Sequence, residues 1–533
     1  MENIMILIAV ILVLCIFADR FSNRFGMPVL ILFMFLGMLF GSDGVFKIPF
    51  DNYGKAKEIC VIALAFIMFY GGFNTKWSVA KSIAVKATLL STVGVLITAG
   101  ITILFCHYVL KIPFTESFAI GAVLGSTDAA SVFAILRKKK LNLKDKTASI
   151  LEIESGSNDP AAYVLTIVAI YILRGDNMME IPKIIFSQIV FGILFGIITA
   201  ISAVYIIKKT EIVSEGLDTI FMITVTLFSF AVPELIGGNG FLSVYITGII
   251  IGNSSIRNKD VIIPFFDGVT TLAQILIFFL LGLLSFPHMM VSVISVAVFI
   301  TLFLSFVARP AAVFMILKPL KCSLNQCLLI TWSGLRGAAS IVFSIVIIAS
   351  GVNINMDIFH IVFMTAVFSV MVQGSMLPWI SKKLNMIDDE SDVYKTFNDY
   401  KEENGIALMR LFIPKGHSWE SKMISEVNMP LGSLVLMIKR NHITIVPKGN
   451  TIIKAEDTLI LSIPQYEFSE NINLKEINID KCHMWADKTI AELYLPDNEL
   501  IAMVRRGKES IIPSGKTKLQ DGDVVVTLSE EWA

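Results

Sequence analysis

Long apolar runs recur through the first 384 residues, and they constrain the fold more than any other feature of this chain. A helix needs about 20 mostly apolar residues to cross roughly 30 Å of hydrocarbon. Thirteen such runs lie at residues 3–18, 27–42, 58–74, 87–108, 117–136, 147–173, 184–207, 217–233, 239–255, 265–285, 290–316, 325–350 and 357–380. Only 17% of all residues are charged, whereas soluble domains carry about 25%. The sequence therefore predicts a polytopic α-helical membrane protein with about 13 transmembrane helices, in a domain spanning residues 1–384.

The basic residues of the short connections predict the orientation. Lys and Arg number 19 in the connections after odd-numbered spans and 6 in those after even-numbered spans. Because cytoplasmic loops carry the excess of positive charge, we expect the N-terminus outside the cell and the long C-terminal tail in the cytoplasm. The net charge is zero, so no global charge signal indicates nucleic acid.

The tail repeats itself after an acidic linker at residues 385–403. Residues 404–466 and 467–533 match at an offset of 66, with alternating β-branched positions and Pro-x-Gly turns that suit short, half-buried strands. The matches include Trp419 with Trp485, Arg440 with Arg506, Pro447 with Pro513, Gly449 with Gly515 and Asp457 with Asp523. We predict a small α+β tail built from two copies of one module.

Two acidic positions fall inside otherwise apolar spans. Asp128 follows Thr127 in the fifth span, and Asp159 follows Asn158 in the sixth. An ionised carboxylate in hydrocarbon costs at least ~2.5 kcal/mol, so such residues are functional candidates by default. Ser155 lies four residues before Asp159 and shares its helix face.

These groups offer hydroxyl, amide, carboxylate and backbone oxygens, which suit a hard monovalent cation better than zinc or copper. A His-Glu-x-x-His motif and a nucleophile elbow are both missing, and no residue is assigned as catalytic. Arg309 in the eleventh span and Arg336 in the twelfth are further charges within apolar sequence.

The tail modules resemble the C-terminal subdomain of the TrkA/RCK family, which regulates potassium channels and transporters. The family's nucleotide-binding half, with its Gly-x-Gly-x-x-Gly motif, is missing, so NAD is not expected. The resemblance implies that the modules pair and bind a regulatory nucleotide such as cyclic di-AMP. The alternative is that they are β-rich dimerisation domains without a ligand.

The membrane domain resembles the NhaP-type antiporters of the cation:proton antiporter superfamily. Thr127-Asp128, Asn158-Asp159 after Glu154, a lone Arg309 and Gly334-Leu335-Arg336-Gly337 carry the resemblance. It implies a dimer of thirteen helices with inverted repeats, in which the fifth and twelfth helices break and cross beside the sixth.

The resemblance also assigns roles. Asp159 would hold cation and proton in turn, and Ser155, Thr127 and Asp128 would supply ligands or shape the crossing. Asn158 stands where electrogenic relatives have a second Asp, which implies electroneutral exchange.

Three charged residues receive other roles from the resemblance. Glu154 and Arg309 would form a buried structural ion pair. Arg336 would lie at the broken twelfth helix or in the cytoplasmic funnel.

The expected function is thus secondary transport, without enzymatic activity or a resident cofactor, in a bacterial plasma membrane. Potassium is the favoured cation because the tail resembles modules of potassium systems. A sodium or lithium/proton antiporter is the alternative. A gated cation channel and an intramembrane hydrolase are rivals from other classes, although no carbonyl filter motif supports the first and no nucleophile–base pair supports the second.

Overall fold

The chain divides into two compact units, Met1–Val393 and Tyr394–Ala533. The structure, a computed structural model, describes residues 2–25, 28–77, 81–139, 141–209, 217–254, 256, 258–388, 406–427, 429, 433–440, 443–464, 473–480, 483–493, 495, 499–506, 509–511 and 513–529.

Thirteen segments long or apolar enough to act as spans can be traced through the described part of the first unit. They are α1 (Glu2–Phe25), α2 (Val29–Phe40), α3 (Tyr53–Asn74), α4 (Ala84–Tyr108), α5a (Phe114–Val123) with α5b (Ala129–Lys138), α6 (Thr147–Arg174), α7 (Ile181–Lys209), α8 (Asp218–Leu235), α9 (Gly240–Gly252), α10 (Lys259–Leu283), α11 (Pro287–Leu317), α12a (Leu324–Trp332) with α12b (Ala338–Ala349), and α13 (Ile358–Lys383). Each predicted span overlaps one of these segments.

The segments form two bundles. In one, α3 packs on α9 and α10, α2 on α10, and both α7 and α8 on α9. In the other, α4 packs on α5a, α5a on α6, and both α11 and α12b on α13. Contacts of α6 with α9 and of α12b with α3 join the two bundles. We call them the scaffold bundle (α1–α3 and α7–α10) and the crossing bundle (α4–α6 and α11–α13).

Close backbone approach holds the scaffold bundle together. The Cα of Gly282 lies 2.9 Å from where a Cβ on Gly37 would stand, so α2 and α10 meet backbone to backbone. Small residues allow such approach in membrane helices, where lipid provides no hydrophobic drive for association.

The crossing bundle contains an inverted repeat. A π-helical turn interrupts α4 at Leu90–Gly94 and α11 at Leu304–Ala308, and the next helix in each case is broken. In the order of the spans, α11 comes seven positions after α4, and α12 comes seven positions after α5. Because seven is odd, the corresponding helices run in opposite directions. This arrangement agrees with the predicted crossing of broken helices.

The tail contains two four-stranded antiparallel sheets. The first has strands β1 (Ile406–Phe412), β2 (Leu434–Arg440), β3 (Ile443–Ile445) and β4 (Thr458–Pro464) in the order β1-β4-β2-β3. The second has β5 (Asn473–Asn478), β6 (Glu499–Arg506), β7 (Glu509–Ile511) and β8 (Asp523–Ser529) in the order β5-β8-β6-β7. The sequence repeat thus folds into two copies of one sheet, with 3₁₀ turns as the helical elements among the described tail residues.

An ion pair between a partly exposed arginine and a buried aspartate recurs in both sheets. Arg440 donates to Asp457 through Nε at 2.7 Å and Nη2 at 2.6 Å, and Arg506 makes the same bidentate contact with Asp523, at 2.7 Å for each bond. Most of the predicted linker, from residue 389 to residue 403, lies outside the described residues.

Candidate functional site

The breaks in α5 and α12 cross each other. Helix α5 stops after Val123 and resumes at Ala129, and α12 stops after Trp332 and resumes at Ala338. The backbone N–H of Asp128 donates to the carbonyl of Leu335 at 2.8 Å, so the two unwound segments are bonded directly. Glycines and small polar residues favour unwinding at these positions, and unwound segments expose backbone groups that intact helices would use internally.

Asp128 lies at this crossing and caps its own helix. Its Oδ1 accepts a hydrogen bond from the Ser131 N–H at 3.2 Å, and its Oδ2 accepts one from the Ser131 hydroxyl. A Cβ on Gly337 would collide with the Asp128 carboxyl group, so glycine is required where α12b begins. The structure therefore places Asp128 as a cap at the start of α5b, next to the other candidate site residues.

Arg336 closes the broken end of α5a. Its buried guanidinium donates from Nη1 to the carbonyl of Leu124 and, at 2.7 Å, to that of Ser126. Its backbone N–H donates to the Ser369 hydroxyl at 3.1 Å. Helix C-termini leave carbonyls without partners and carry partial negative charge. Arg336 supplies hydrogen-bond donors to these carbonyls and a positive charge beside them. It lies at the broken twelfth helix, one of the two places predicted for it.

Asp159 faces the α5 break from α6. Its side chain is buried, with 8% of the residue exposed, and Oδ1 accepts a hydrogen bond from the Ser126 hydroxyl. Among the described residues, no Lys, Arg or His forms an ion pair with Asp159. A hydroxyl is therefore its identified partner, and the carboxyl group has no fixed counter-ion there.

The neighbours of Asp159 on α6 also contact the break. The Ser155 hydroxyl accepts from the Ala129 N–H and donates to the Thr127 carbonyl, both at 2.9 Å. Asn158 donates from Nδ2 to the Thr127 hydroxyl, and its buried Oδ1 has no hydrogen-bond partner among the described residues. The fold thus brings Ser155, Asn158 and Asp159 together with Thr127.

Glu154 points to a different neighbour. Its Oε1 lies 2.6 Å from Nη1 of Arg309, and both residues are buried, 1% and 4% exposed respectively. Arg309 directly follows the π-helical turn of α11, and its side chain lies against Gly334 in the α12 break. The contact predicted for Glu154 and Arg309 is therefore present.

Ser126 is the contact that sequence reasoning did not assign. It belongs to the same polar run as Thr127 and Asp128, but its hydroxyl contacts Asp159 only because of the backbone path through the α5 break. At the resulting site Asp159 accepts from a neutral hydroxyl, and the second carboxyl group at the crossing, that of Asp128, is hydrogen-bonded to Ser131. The described residues contain no cluster of three or more His, Cys, Asp and Glu side chains that would hold a multivalent metal.

Two family profiles and several known proteins match this chain. The profile of the transmembrane sodium/hydrogen exchanger family matches residues 7–383, and that of the TrkA-C domain matches residues 408–469 and 474–528. The K(+)/H(+) antiporter NhaP of Alkalimonas amylolytica is 31% identical over 461 residues, covering 86% of this chain and 80% of the relative. The K(+)/H(+) antiporter NhaP2 of Shewanella baltica is 31% identical over 446 residues, covering 82% and 77%.

A solved structure shares the fold. The sodium proton antiporter MjNhaP1 from Methanocaldococcus jannaschii superimposes with a TM-score of 0.62 at 23% identity, covering 70% of this chain and all of that one. The helical architecture and the crossing breaks of this chain fit the family match over residues 7–383. The chain therefore belongs to the sodium/hydrogen exchanger family of membrane transporters and carries C-terminal TrkA-C domains.

Proposed function

We propose that this protein exchanges potassium ions for protons across a bacterial plasma membrane, and that Asp159 holds each in turn. The observation that carries the proposal is a buried carboxyl group without an ion-pair partner among the described residues, hydrogen-bonded to Ser126 at a crossing of broken helices. Crossings of this kind are where secondary transporters bind their ions.

The competition between cation and proton follows from solvation. Burial removes water from the Asp159 carboxylate, so the ionised form needs a cation beside it and is otherwise replaced by the protonated form. Oxygens of Thr127, Ser155 and Asn158 lie at the same crossing and complete an oxygen-lined environment that suits a dehydrated monovalent cation. Asp128 shapes this environment by capping α5b.

Exchange follows because both occupants neutralise the site. An ionised, empty site moves past apolar surfaces only at high cost, whereas the cation-bound and protonated states carry no net charge at Asp159. The neighbouring Asn158 is an amide, so a single carboxylate exchanges and transport is electroneutral. The crossing bundle moves against the scaffold bundle to alternate access, as in other repeat-based transporters.

Potassium is the first choice of cation for two reasons. Two relatives that match more than four fifths of this chain are named K(+)/H(+) antiporters, and the tail carries TrkA-C domains. Sodium is the alternative cation, since MjNhaP1 is a sodium proton antiporter and a Synechocystis relative at 26% identity is named Na(+)/H(+) antiporter NhaS2.

The distribution of basic residues supports a cytoplasmic tail and an external N-terminus. We propose a homodimer in which the paired TrkA-C domains regulate transport in response to a small ligand, with cyclic di-AMP as the first candidate. Comparing the full chain with a chain that lacks residues 385–533, with and without that nucleotide, tests the regulatory role.

Transport in proteoliposomes tests the assignment of Asp159. An imposed pH gradient is expected to drive uptake of potassium, with sodium and lithium measured in parallel, and D159N is expected to abolish coupled uptake while the protein stays folded. D267N is the matched control, because it removes a carboxylate from α10 outside the crossing. Proton-coupled uptake by D159N would contradict the proposal, and flux without saturation or proton coupling would indicate a channel.

A further inference from the structure

Two side-chain hydrogen bonds join the bundles within about one turn of Asp159. The Tyr163 hydroxyl of α6 donates to Oε2 of Glu234 at the end of α8, over 3.3 Å. The Asn239 side chain, at the start of α9, donates from Nδ2 to the carbonyl of Pro160 at 2.9 Å. Pro160 follows Asp159 directly, and Tyr163 lies one turn further along α6.

The scaffold bundle holds its side of both bonds in place. Oε1 of Glu234 accepts the N–H of Gly240 at 3.0 Å, and Oδ1 of Asn239 accepts the N–H of Leu242 at 3.0 Å. Both groups therefore cap the start of α9, where the helix dipole favours an acceptor oxygen. Because these bonds lie within the scaffold bundle, Glu234 and Asn239 stay with it when the crossing bundle moves.

An aromatic cluster fills the space between the bundles at the same level. The Tyr163 ring lies 4.9 Å from that of Phe241 in α9 and 5.6 Å from that of Phe343 in α12b, with Phe241 and Phe343 5.8 Å apart. All three side chains are buried. Rings in contact at these distances leave no room for a hydrated ion between them.

We propose that the Tyr163–Glu234 and Asn239–Pro160 bonds form a latch that keeps Asp159 closed to the membrane face at the C-terminal end of α6. Opening toward that face separates α6 from the α8–α9 turn, so both bonds break and the aromatic cluster parts. Glu234 is then a positioning residue for the transition that opens Asp159 toward this face. The Tyr163 hydroxyl is bonded to Glu234 only while Asp159 is closed to it. The inference rests on the proposed exchange function and adds the residues that bias its two states.

The Tyr163→Phe variant tests the latch because it keeps the ring and removes only the hydroxyl donor. Loss of one such bond is expected to shift the equilibrium between the two states by about three- to tenfold. Apparent KM for potassium should fall at the face where α6 ends and rise at the opposite face, changing the ratio of the two values by that factor. Right-side-out and everted vesicles give the two KM values separately.

Tyr70→Phe is the matched control. Tyr70 donates to Asp267 at 3.4 Å, but this bond joins α3 to α10 within the scaffold bundle. Y70F should keep the wild-type ratio of KM values. An unchanged ratio in Y163F, or an equal change in Y70F, would overturn the latch.

Hydrogen–deuterium exchange gives a second readout that does not depend on transport. The latch predicts faster exchange in the α8–α9 turn, residues 236–239, for Y163F than for Y70F. Equal exchange in the two variants would contradict it even if Y163F were inactive. The proposed function is judged separately, by whether the wild-type protein exchanges ions and D159N does not.

Discussion

Two carboxyl groups on α6, five residues apart, have opposite surroundings. Glu154 contacts the Arg309 guanidinium at 2.6 Å, whereas Asp159 has a hydroxyl partner and no ion pair among the described residues. Both are buried in an apolar domain, so the difference lies in the partner rather than in depth. A carboxylate with a permanent cation cannot exchange one, and a carboxylate without one must acquire it from the transported ions. Under the proposed function, the paired carboxylate stabilises the structure and the unpaired one exchanges the transported ions.

The largest expected effect comes from breaking the fixed pair. Arg309→Ala leaves Glu154 buried without its cation, and we expect the free energy of unfolding to fall by about 3–5 kcal/mol. Thermal unfolding of the purified protein in detergent measures this loss. Lys318→Ala, which removes an exposed cation at the end of the same helix, should change stability by less than about 0.5 kcal/mol.

An uncharged replacement of both partners sharpens the comparison. The double variant E154Q/R309Q removes the ion pair without leaving an unpaired charge, so it should be more stable than R309A. If R309A were as stable as the wild type, the assignment of Glu154–Arg309 as a structural ion pair would be wrong.

An intermediate effect is expected for the ion pair of the tail. The pKa of Asp523 is lowered by the hydrogen bonds of Arg506, which outweigh the effect of burial. A lowered pKa in the folded state adds stability above the unfolded value near 3.8, and this stability is lost as pH falls through the folded pKa. D523N should therefore destabilise the second sheet by about 1.5–3 kcal/mol at pH 7.

Amide hydrogen exchange of β8 in the full-length protein measures that difference. The gap in protection between D523N and wild type should shrink as pH falls from about 3.8 toward the lowered pKa of folded Asp523, because the carboxyl group is protonated first in the unfolded state and then in the folded state. A gap that persisted unchanged in acid would mean that charge does not explain the stability of this pair. Asp457, in the same position of the first sheet, should keep its protection in D523N.

The smallest effect is expected at the unpaired carboxyl group itself. Ser126→Ala removes the hydroxyl that donates to Asp159, which weakens the stabilisation of the ionised form. At fixed pH we expect the apparent KM for the cation to rise about three- to tenfold, with the maximal rate less affected. Ser131→Ala removes a hydroxyl that donates to Asp128 instead, and it should leave KM closer to the wild-type value. An unchanged KM in S126A would place Ser126 outside the site.

Much of the fold was predictable because it depends on local sequence. The length of each apolar run sets the spans, and the offset of 66 sets the repeat of the tail sheets. The breaks in α5 and α12 coincide with Gly125 and with Gly334 and Gly337, as the family resemblance implied.

The contacts across the crossing were less predictable because they join distant positions. Arg336 donates to carbonyls more than 200 residues away, and Tyr163 reaches Glu234 over 71 residues. No local periodicity reports such partners. Asp128 differs, because its carboxyl group accepts from Ser131 only three residues along the chain, a local capping contact that the residue spacing could have indicated.

Proton release on cation binding tests the central claim most directly. Potassium chloride is added to the purified protein in weakly buffered solution, at a pH where Asp159 is protonated in the absence of cation, and the released protons are counted with a pH-sensitive dye. We predict one proton per chain for the wild type and for D267N, and none for D159N. Binding of potassium without proton release, or the same release from D159N, would contradict the account.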